Sequence, residues 1–218
     1  PSGSFSSDAS ASEAPVLYIS QFADDVISEF STDGSRETYY GPGGSESFHR
    51  IAVGPDYLYI ADSAAHQILR YETDSVDTQA PLGGAGSGGE STTNALEFPA
   101  AAGNDAGYFN EPRGVAVDAE RGYLYVADRK NDRIQQFELS SGTFVEAWGV
   151  PNSDEPPNLG WPSDVAVDPN GNVYVADTIH DRVQKFTSDG TFVAAFGSYG
   201  SGKGELNDPV GLAGDDGG

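Results

Sequence analysis

The sequence predicts an all-β chain built from repeated four-stranded antiparallel sheets. Short apolar runs, rich in β-branched and aromatic residues, alternate with turns that contain Gly, Asn, Asp or Pro. Residues 159–197 hold four such runs in succession. The Asn-Gly and Asp-Gly turns between them supply the positive φ angles that tight hairpins need. A meander of about 40 residues cannot bury both of its faces alone, so it must stack on similar units.

The same unit recurs along the chain, and this recurrence predicts the architecture. Tyrosine-centred runs end at Asp62, Asp128 and Asp177, and a degraded copy spans 16–20. The repeat length is about 50 residues, which with four strands per repeat is typical of propeller blades. The pattern Pro, Gly-Val-Ala-Val-Asp, Tyr-Val-Ala-Asp, Arg-Ile-Gln and Phe is matched best at 112–137 and 162–186. It resembles the NHL-repeat family of β-propellers.

The chain divides into an arm and a repeat region. Residues 1–15 are rich in Ser and Ala with almost no large apolar side chain, which predicts a flexible arm. Residues 16–218 predict an NHL-type propeller of about four blades. A Gly/Ser-rich insertion at about 72–108 interrupts blade two, and loops of this length are usually functional or disordered.

The two ends of the repeat region do not match. Blade one begins at 16 with its second strand, and 209–213 offers a first strand with no blade after it. Because a closed ring hides its edge strands, we expect 209–213 to complete the first blade beside 16–20. The alternatives are a longer protein, or exchange of this strand with a neighbouring molecule, which joins like subunits into a filament.

Composition restricts the partners. The net charge is −23, from 34 acidic against 11 basic residues. Such an acidic surface repels nucleic-acid phosphates and anionic lipids, and it suits a halophilic protein solvated at high salt.

No apolar run approaches the roughly 18 residues of a membrane span. The chain begins at Pro1 and has no methionine and no cysteine. We therefore expect a secreted, extracellular or cell-surface protein whose signal peptide has been removed, without disulfides or thiolate metal sites.

Six basic side chains are the candidate binding residues. Two lie just before the first strands of blades two and three, where the first strands of a propeller line the channel mouth. Three more form a basic group at 129–133 in an otherwise acidic chain, and the sixth is the equivalent of the last of these in the next blade. They indicate either surface ion pairs with neighbouring acids or a docking point for an acidic partner or a like subunit. The six are His49, Arg113, Arg129, Lys130, Arg133 and Arg182.

The repeated Asp62, Asp128 and Asp177 are expected to accept N–H groups of the turn that follows each of them, rather than to bind calcium. No phosphate loop, nucleophile elbow or paired catalytic carboxylate is present in the sequence. The sequence therefore predicts a non-catalytic scaffold for a protein or glycan, or a structural subunit of a surface assembly, with no cofactor. The resemblance implies an alternative, because related propeller lyases place His, Arg and Tyr around zinc at the channel mouth. His49 and Arg113 would then belong to a metal-assisted lyase or hydrolase site.

Overall fold

The computed structural model describes residues 16–21, 26–31, 36–40, 48–72, 102–149 and 154–214. Within these ranges the chain forms strands in four antiparallel sheets and two single-turn 3-10 helices. The described part holds no helix with the length and apolar character needed to cross a membrane. The all-β propeller fold that the sequence predicts is confirmed. The arm 1–15, most of the insertion and the fourth strand expected for blade two lie outside the described residues.

Each sheet is a meander of strands consecutive in sequence. Blade one contains β1 (Val16–Gln21), β2 (Val26–Ser31) and β3 (Arg36–Tyr40). Blade two contains β4 (Phe48–Val53), β5 (Tyr57–Asp62) and β6 (Gln67–Glu72). Blade three contains β7 (Pro112–Asp118), β8 (Tyr123–Asp128), β9 (Arg133–Glu138) and β10 (Phe144–Trp148). Blade four contains β11 (Pro162–Val167), β12 (Val173–Asp177), β13 (Arg182–Phe186) and β14 (Phe192–Phe196).

Consecutive blades stack through opposite faces. We call the face toward the next blade the forward face and the face toward the preceding blade the rear face. The forward face of blade three meets the rear face of blade four in one apolar cluster, and blades two and three, and one and two, meet in the same way. The forward residues of blade three are Tyr125, Ala127 and Ile134, and the facing residues of blade four are Val173, Val175 and Phe186. The recurring tyrosines and phenylalanines thus pack blade against blade.

The first strands β4, β7 and β11 lie side by side, and a glycine allows their close approach. Gly114 is in the middle of β7, and a Cβ atom there would stand 2.6 Å from the Cα atom of Asp164 in β11. Real Cβ atoms do not come this close to backbone, so the inner contact between blades three and four requires glycine at this position.

The C-terminal segment 207–214 does not form the strand expected from the sequence. Among the described residues no ladder involves it, and the described strand that pairs with β1 is β2. Its backbone groups bind side chains instead, since Arg50 donates to the Val210 carbonyl at 2.7 Å and the Leu212 N–H donates to Asp164 at 2.8 Å. The expected pairing of 209–213 with 16–20 is therefore not formed, because this segment is held against blades two and four.

Candidate functional site

A buried aspartate ends the second strand of blade three and organises the loop before the blade. Asp128 is fully buried, and one carboxylate oxygen accepts the Asn110 N–H at 2.7 Å. The other accepts from Asn131, from Arg133 Nε at 2.8 Å and from Gln135. These donors satisfy a charge that burial alone would strongly disfavour. Asp128 is thus a structural anchor.

Arg133 and Arg182 use their guanidinium groups inside their own blades. The terminal nitrogens of Arg133 donate to the carbonyls of Asn104, Asp105 and Tyr108. In blade four, Arg182 Nε donates to Asp177 at 2.6 Å, and its terminal nitrogens donate to the Asp154 and Asn158 carbonyls. Each arginine therefore ties the preceding loop to a buried aspartate, and neither lies in the cluster described below.

The partners of these aspartates differ from the expectation. Among the three, Asp62 alone accepts a backbone N–H of the turn that follows it, from Ala65 at 3.1 Å. Asp128 and Asp177 accept the backbone N–H groups of Asn110 and Gly160. Each donor lies just before the first strand of the same blade. The expectation is wrong for these two, because the short 3-10 turn after each strand leaves the carboxylate facing the incoming loop.

A second repeated hydrogen bond links each blade to the next. His66, Asp132 and Asp181 occupy equivalent positions, all with φ angles in the left-handed region. Their side chains accept backbone N–H groups from the segment that follows the blade, which is the start of the next blade for His66 and Asp132 and the C-terminal segment for Asp181. The donors are Glu111 to His66 Nδ1 at 3.0 Å, Trp161 to Asp132 at 2.7 Å and Asp208 to Asp181 at 2.8 Å. His66 therefore has the structural role that an aspartate has in blades three and four.

Four basic side chains near the start of the first strands form a group that we call the basic cluster: His49, Arg50, Arg113 and Arg129. Burial lowers the pKa of His49, and the positive charges of Arg113, Arg129 and Arg50 lower it further. Both effects favour the neutral imidazole. Arg113 therefore lies close enough to His49 to affect its protonation, and a binding role for the two residues stays a prediction.

Arg113 has the least satisfied charge of the cluster. It is half-buried, and none of the described residues forms a hydrogen bond or ion pair with it. Burial lowers its pKa, as do Arg129 and Arg50, while Glu111 acts in the opposite direction. An arginine stays protonated despite such shifts. Arg113 is therefore a positive charge with the positive charges of Arg129 and Arg50 nearby.

Glu111 balances the neighbouring cations Arg129 and Lys130. Its carboxylate binds Arg129 at 3.2 Å and forms a short ion pair with Lys130. Partial burial acts to raise the pKa of Glu111, but the Lys130 and Arg129 charges outweigh it and lower the pKa. Arg129 also stacks on the Trp161 ring, with its guanidinium carbon 4.1 Å from the ring centroid. Arg129 and Lys130 are thus paired, whereas Arg113 is not.

Arg50 joins blade two to blade four. Its Nε donates to Asp164 at 3.1 Å, although the two residues belong to sheets separated by blade three. Burial raises the pKa of Asp164, although the Leu212 N–H and Arg50 favour its ionised form. The sequence analysis missed this pair. The available signal was the replacement of the repeat glycine, present as Gly114 and Gly211, by opposite charges in blades two and four.

The fold and this geometry define a propeller whose first strands present a basic cluster on an acidic chain. The NHL repeat profile matches residues 109–137 and 159–186, which are blades three and four with the end of the loop before each. Blades three and four are therefore NHL repeats within a β-propeller fold.

Two relatives are proteins much longer than the segment that matches this chain. The chain is 31% identical to peptidyl-glycine alpha-amidating monooxygenase of Mus musculus over 147 residues, which are 65% of this chain and 14% of that protein. It is 42% identical to the RING finger protein nhl-1 of Caenorhabditis elegans over 55 residues, 25% of this chain and 6% of that protein. The chain thus spans a small part of each relative.

Solved propellers support the fold. A catalytically inactive virginiamycin B lyase from Staphylococcus aureus with quinupristin is 17% identical, with a TM-score of 0.57 over 85% of this chain and 53% of that chain. A chain of a nidogen/laminin complex is 19% identical, with a TM-score of 0.57 over 86% of this chain and 66% of that chain. The similar structures include both an enzyme and a binding protein, so the fold alone does not select the function.

Proposed function

We propose that this chain is a non-catalytic binding module that holds an acidic segment of a partner against the basic cluster. The observation that carries the proposal is Arg113, a half-buried guanidinium without a partner among the described residues, in a chain of net charge −23. An anion bound beside Arg113 would relieve its repulsion from Arg50 and Arg129.

The donor chemistry of the cluster fits a carboxylate. A guanidinium is planar and presents paired N–H groups that match the two oxygens of a carboxylate. The Trp161 ring beneath Arg129 is 42% exposed and lies at the edge of the same group. An aromatic face next to unpaired donors is a combination that recognises peptides and sugars.

Acidic protein segments and acidic glycans both carry carboxylates, and we propose the protein segment as the partner. A glycan is an outcome of the test. The strongly acidic remainder of the surface would repel such a ligand everywhere except at the cluster, and this focuses binding on one place. The extracellular location expected from the sequence stays a prediction.

The proposal is tested by titrating the chain with tetraglutamate, hexagalacturonate and neutral tetraglutamine while tryptophan fluorescence is recorded. We expect saturable binding of tetraglutamate, weakened at least tenfold by Arg113→Ala and less by Arg113→Lys. Lys203→Ala is the matched control, because Lys203 is an exposed cation far along the chain from the cluster. Equal response to the acidic and neutral probes would overturn the proposal, and preference for hexagalacturonate would assign the partner to glycans.

A second candidate function, a metal-assisted lyase or hydrolase, draws on the place of His49 beside Arg113 in the basic cluster, where burial and the neighbouring arginines lower the pKa of the imidazole. In the part of the chain that the structure describes, no group of three His, Cys, Asp or Glu side chains could hold a metal ion. Stoichiometric zinc in the purified chain, lost in His49→Ala and kept in His66→Ala, would favour the enzyme over the binding module.

A further inference from the structure

The forward face of blade four is open. In blade three the same face buries Tyr125 and Ile134 completely. In blade four, Tyr174 and Val183 occupy the strand positions of Tyr125 and Ile134, and Phe196 occupies the position of Trp148. Phe196 is 50% exposed. A groove crosses this face, and its lining is mixed, with the apolar Ala166, Val183 and Leu212 beside the polar Asp168, Asn172 and Lys185.

The rear face of blade one is open as well. Leu17 and Ile19 are 56% and 42% exposed. The strand register makes them equivalent to Leu124 and Val126, which are completely buried where blade three stacks on blade two. Side chains that form the interior of every other blade contact are thus exposed to solvent at both ends of the stack.

We propose that the open forward face of blade four binds the open rear face of blade one in a second copy of this chain. Three contacts of this forward-to-rear kind already exist within the chain, at the same positions of the strands. The two open faces carry the residue types of those contacts, an aromatic and small set on one side and aliphatic residues on the other. The new interface therefore repeats an interface that the sequence already forms three times.

The contact is heterologous, because two different surfaces meet in it. Within one copy the two open faces do not cover each other, since Leu17 and Phe196 are both exposed in the same structure. Each chain contributes four sheets. A ring of two copies would therefore have twice that number of blades, which lies within the four to about eight blades of known propellers. Heterologous contacts that close in this way give rings, and those that do not close give filaments.

This contact is separate from the proposed function, because none of its residues belongs to the basic cluster. Two chains of net charge −23 repel each other at low ionic strength. The association should therefore strengthen as salt screens that repulsion, whereas tetraglutamate binding to arginines should weaken with salt.

The test is sedimentation equilibrium of the full 218-residue chain in molar KCl, with Phe196→Glu on the forward face and Leu17→Glu on the rear face. The matched control is Val145→Glu, because Val145 is a 41% exposed bulge residue on an outer strand. Wild type and the control should sediment as two or more chains, and each face variant should weaken association at least tenfold. Since both substituted residues are exposed, far-UV circular dichroism should be unchanged.

Mixing the two face variants gives the sharpest outcome. An equal mixture of Phe196→Glu and Leu17→Glu retains one intact forward face opposite one intact rear face, so it should recover pairs that neither variant forms alone. A chain that stays monomeric at every concentration and salt, face variants that match the control, or a mixture without recovery would each overturn the proposal.

Discussion

Arg50 Nε lies 3.1 Å from an oxygen of Asp164, and this ion pair connects the first strands of blades two and four across blade three. The Asp164 side chain is 6% exposed and that of Arg50 is 41% exposed. The carboxylate also accepts the N–H groups of Val165 and Leu212. Asp164 is therefore the point at which two blades and the C-terminal segment are held together.

Removing this carboxylate should destabilise the fold. Asp164→Ala leaves the Leu212 N–H and the Arg50 guanidinium without their acceptor, and we expect a loss of about 1–3 kcal/mol in unfolding free energy. Asp164→Asn should cost less, because its amide oxygen still accepts one N–H group. Urea unfolding followed by circular dichroism checks the order, and equal losses for the two variants would contradict it.

The glycine between the two charged residues should tolerate no side chain. A Cβ atom at Gly114 would meet the backbone of Asp164 and Val165 at 2.6–2.9 Å. We expect Gly114→Ala to lower the unfolding free energy by about 1–3 kcal/mol through overpacking. Gly214→Ala is the control, since a Cβ atom there meets nothing within 4 Å. Thermal unfolding of both variants would show the difference, and a stable Gly114→Ala protein would argue against close inner contact.

Local patterns predicted the blades because alternation and turn residues act within one hairpin. The turn at Asp168 and the tyrosine-centred strands β5, β8 and β12 formed where the sequence indicates. The partners of Asp128 and the Arg50–Asp164 pair were not predictable from those patterns. They depend on how blades and loops distant in sequence approach one another. The Arg50–Asp164 pair leaves a trace in the sequence, because both residues replace the repeat glycine. The same reason explains the C-terminal segment, whose first-strand motif does not reveal what its backbone binds.

Arg133 should be needed for stability rather than for binding. Its Nε pairs with the fully buried Asp128, and its other nitrogens hold the loop carbonyls of Asn104, Asp105 and Tyr108. Arg133→Met leaves a buried carboxylate without its cation, which costs about 3–5 kcal/mol. Urea unfolding measures the loss, with Lys203→Met as an exposed control. Loss of tetraglutamate binding at unchanged stability would show that Arg133 has the binding role expected from the sequence.

Added salt should stabilise this chain. The compact state confines a net charge of −23, and screening weakens the repulsion among those charges. We expect the thermal midpoint to rise between dilute buffer and molar KCl. Sucrose of equal osmolality is the control for effects that do not involve charge. A flat or falling midpoint in KCl would mean that the acidic residues serve solubility alone.

Asp168 should make the stability of blade four depend on pH. Its carboxylate accepts the Asn170 and Asn172 N–H groups, the Asn172 side-chain amide and the Tyr174 hydroxyl. Partial burial acts to raise the pKa of Asp168, but these hydrogen bonds outweigh it, and the pKa lies below its usual value. Because the folded state then binds the proton less readily than the unfolded chain, ionised Asp168 stabilises the fold.

That stabilisation is fully present above the unfolded aspartate pKa of about 3.9, and it is lost as the pH falls through the lower folded value. Asp168→Asn should therefore cost about 1–2 kcal/mol near neutral pH, from the acceptor that it removes. The difference from wild type should shrink as the pH falls below about 4, where Asp168 of the unfolded wild-type chain takes up a proton, and should vanish once the pH is below the lower folded pKa. Urea unfolding at a series of pH values measures both curves. Glu120→Gln is the control, because the Glu120 side chain is 77% exposed and its ion pair with Arg121 lies at the surface. A difference between wild type and Asp168→Asn that stays constant from neutral to acid pH would show that the charge of Asp168 contributes nothing, and that the hairpin is held by its turn geometry alone.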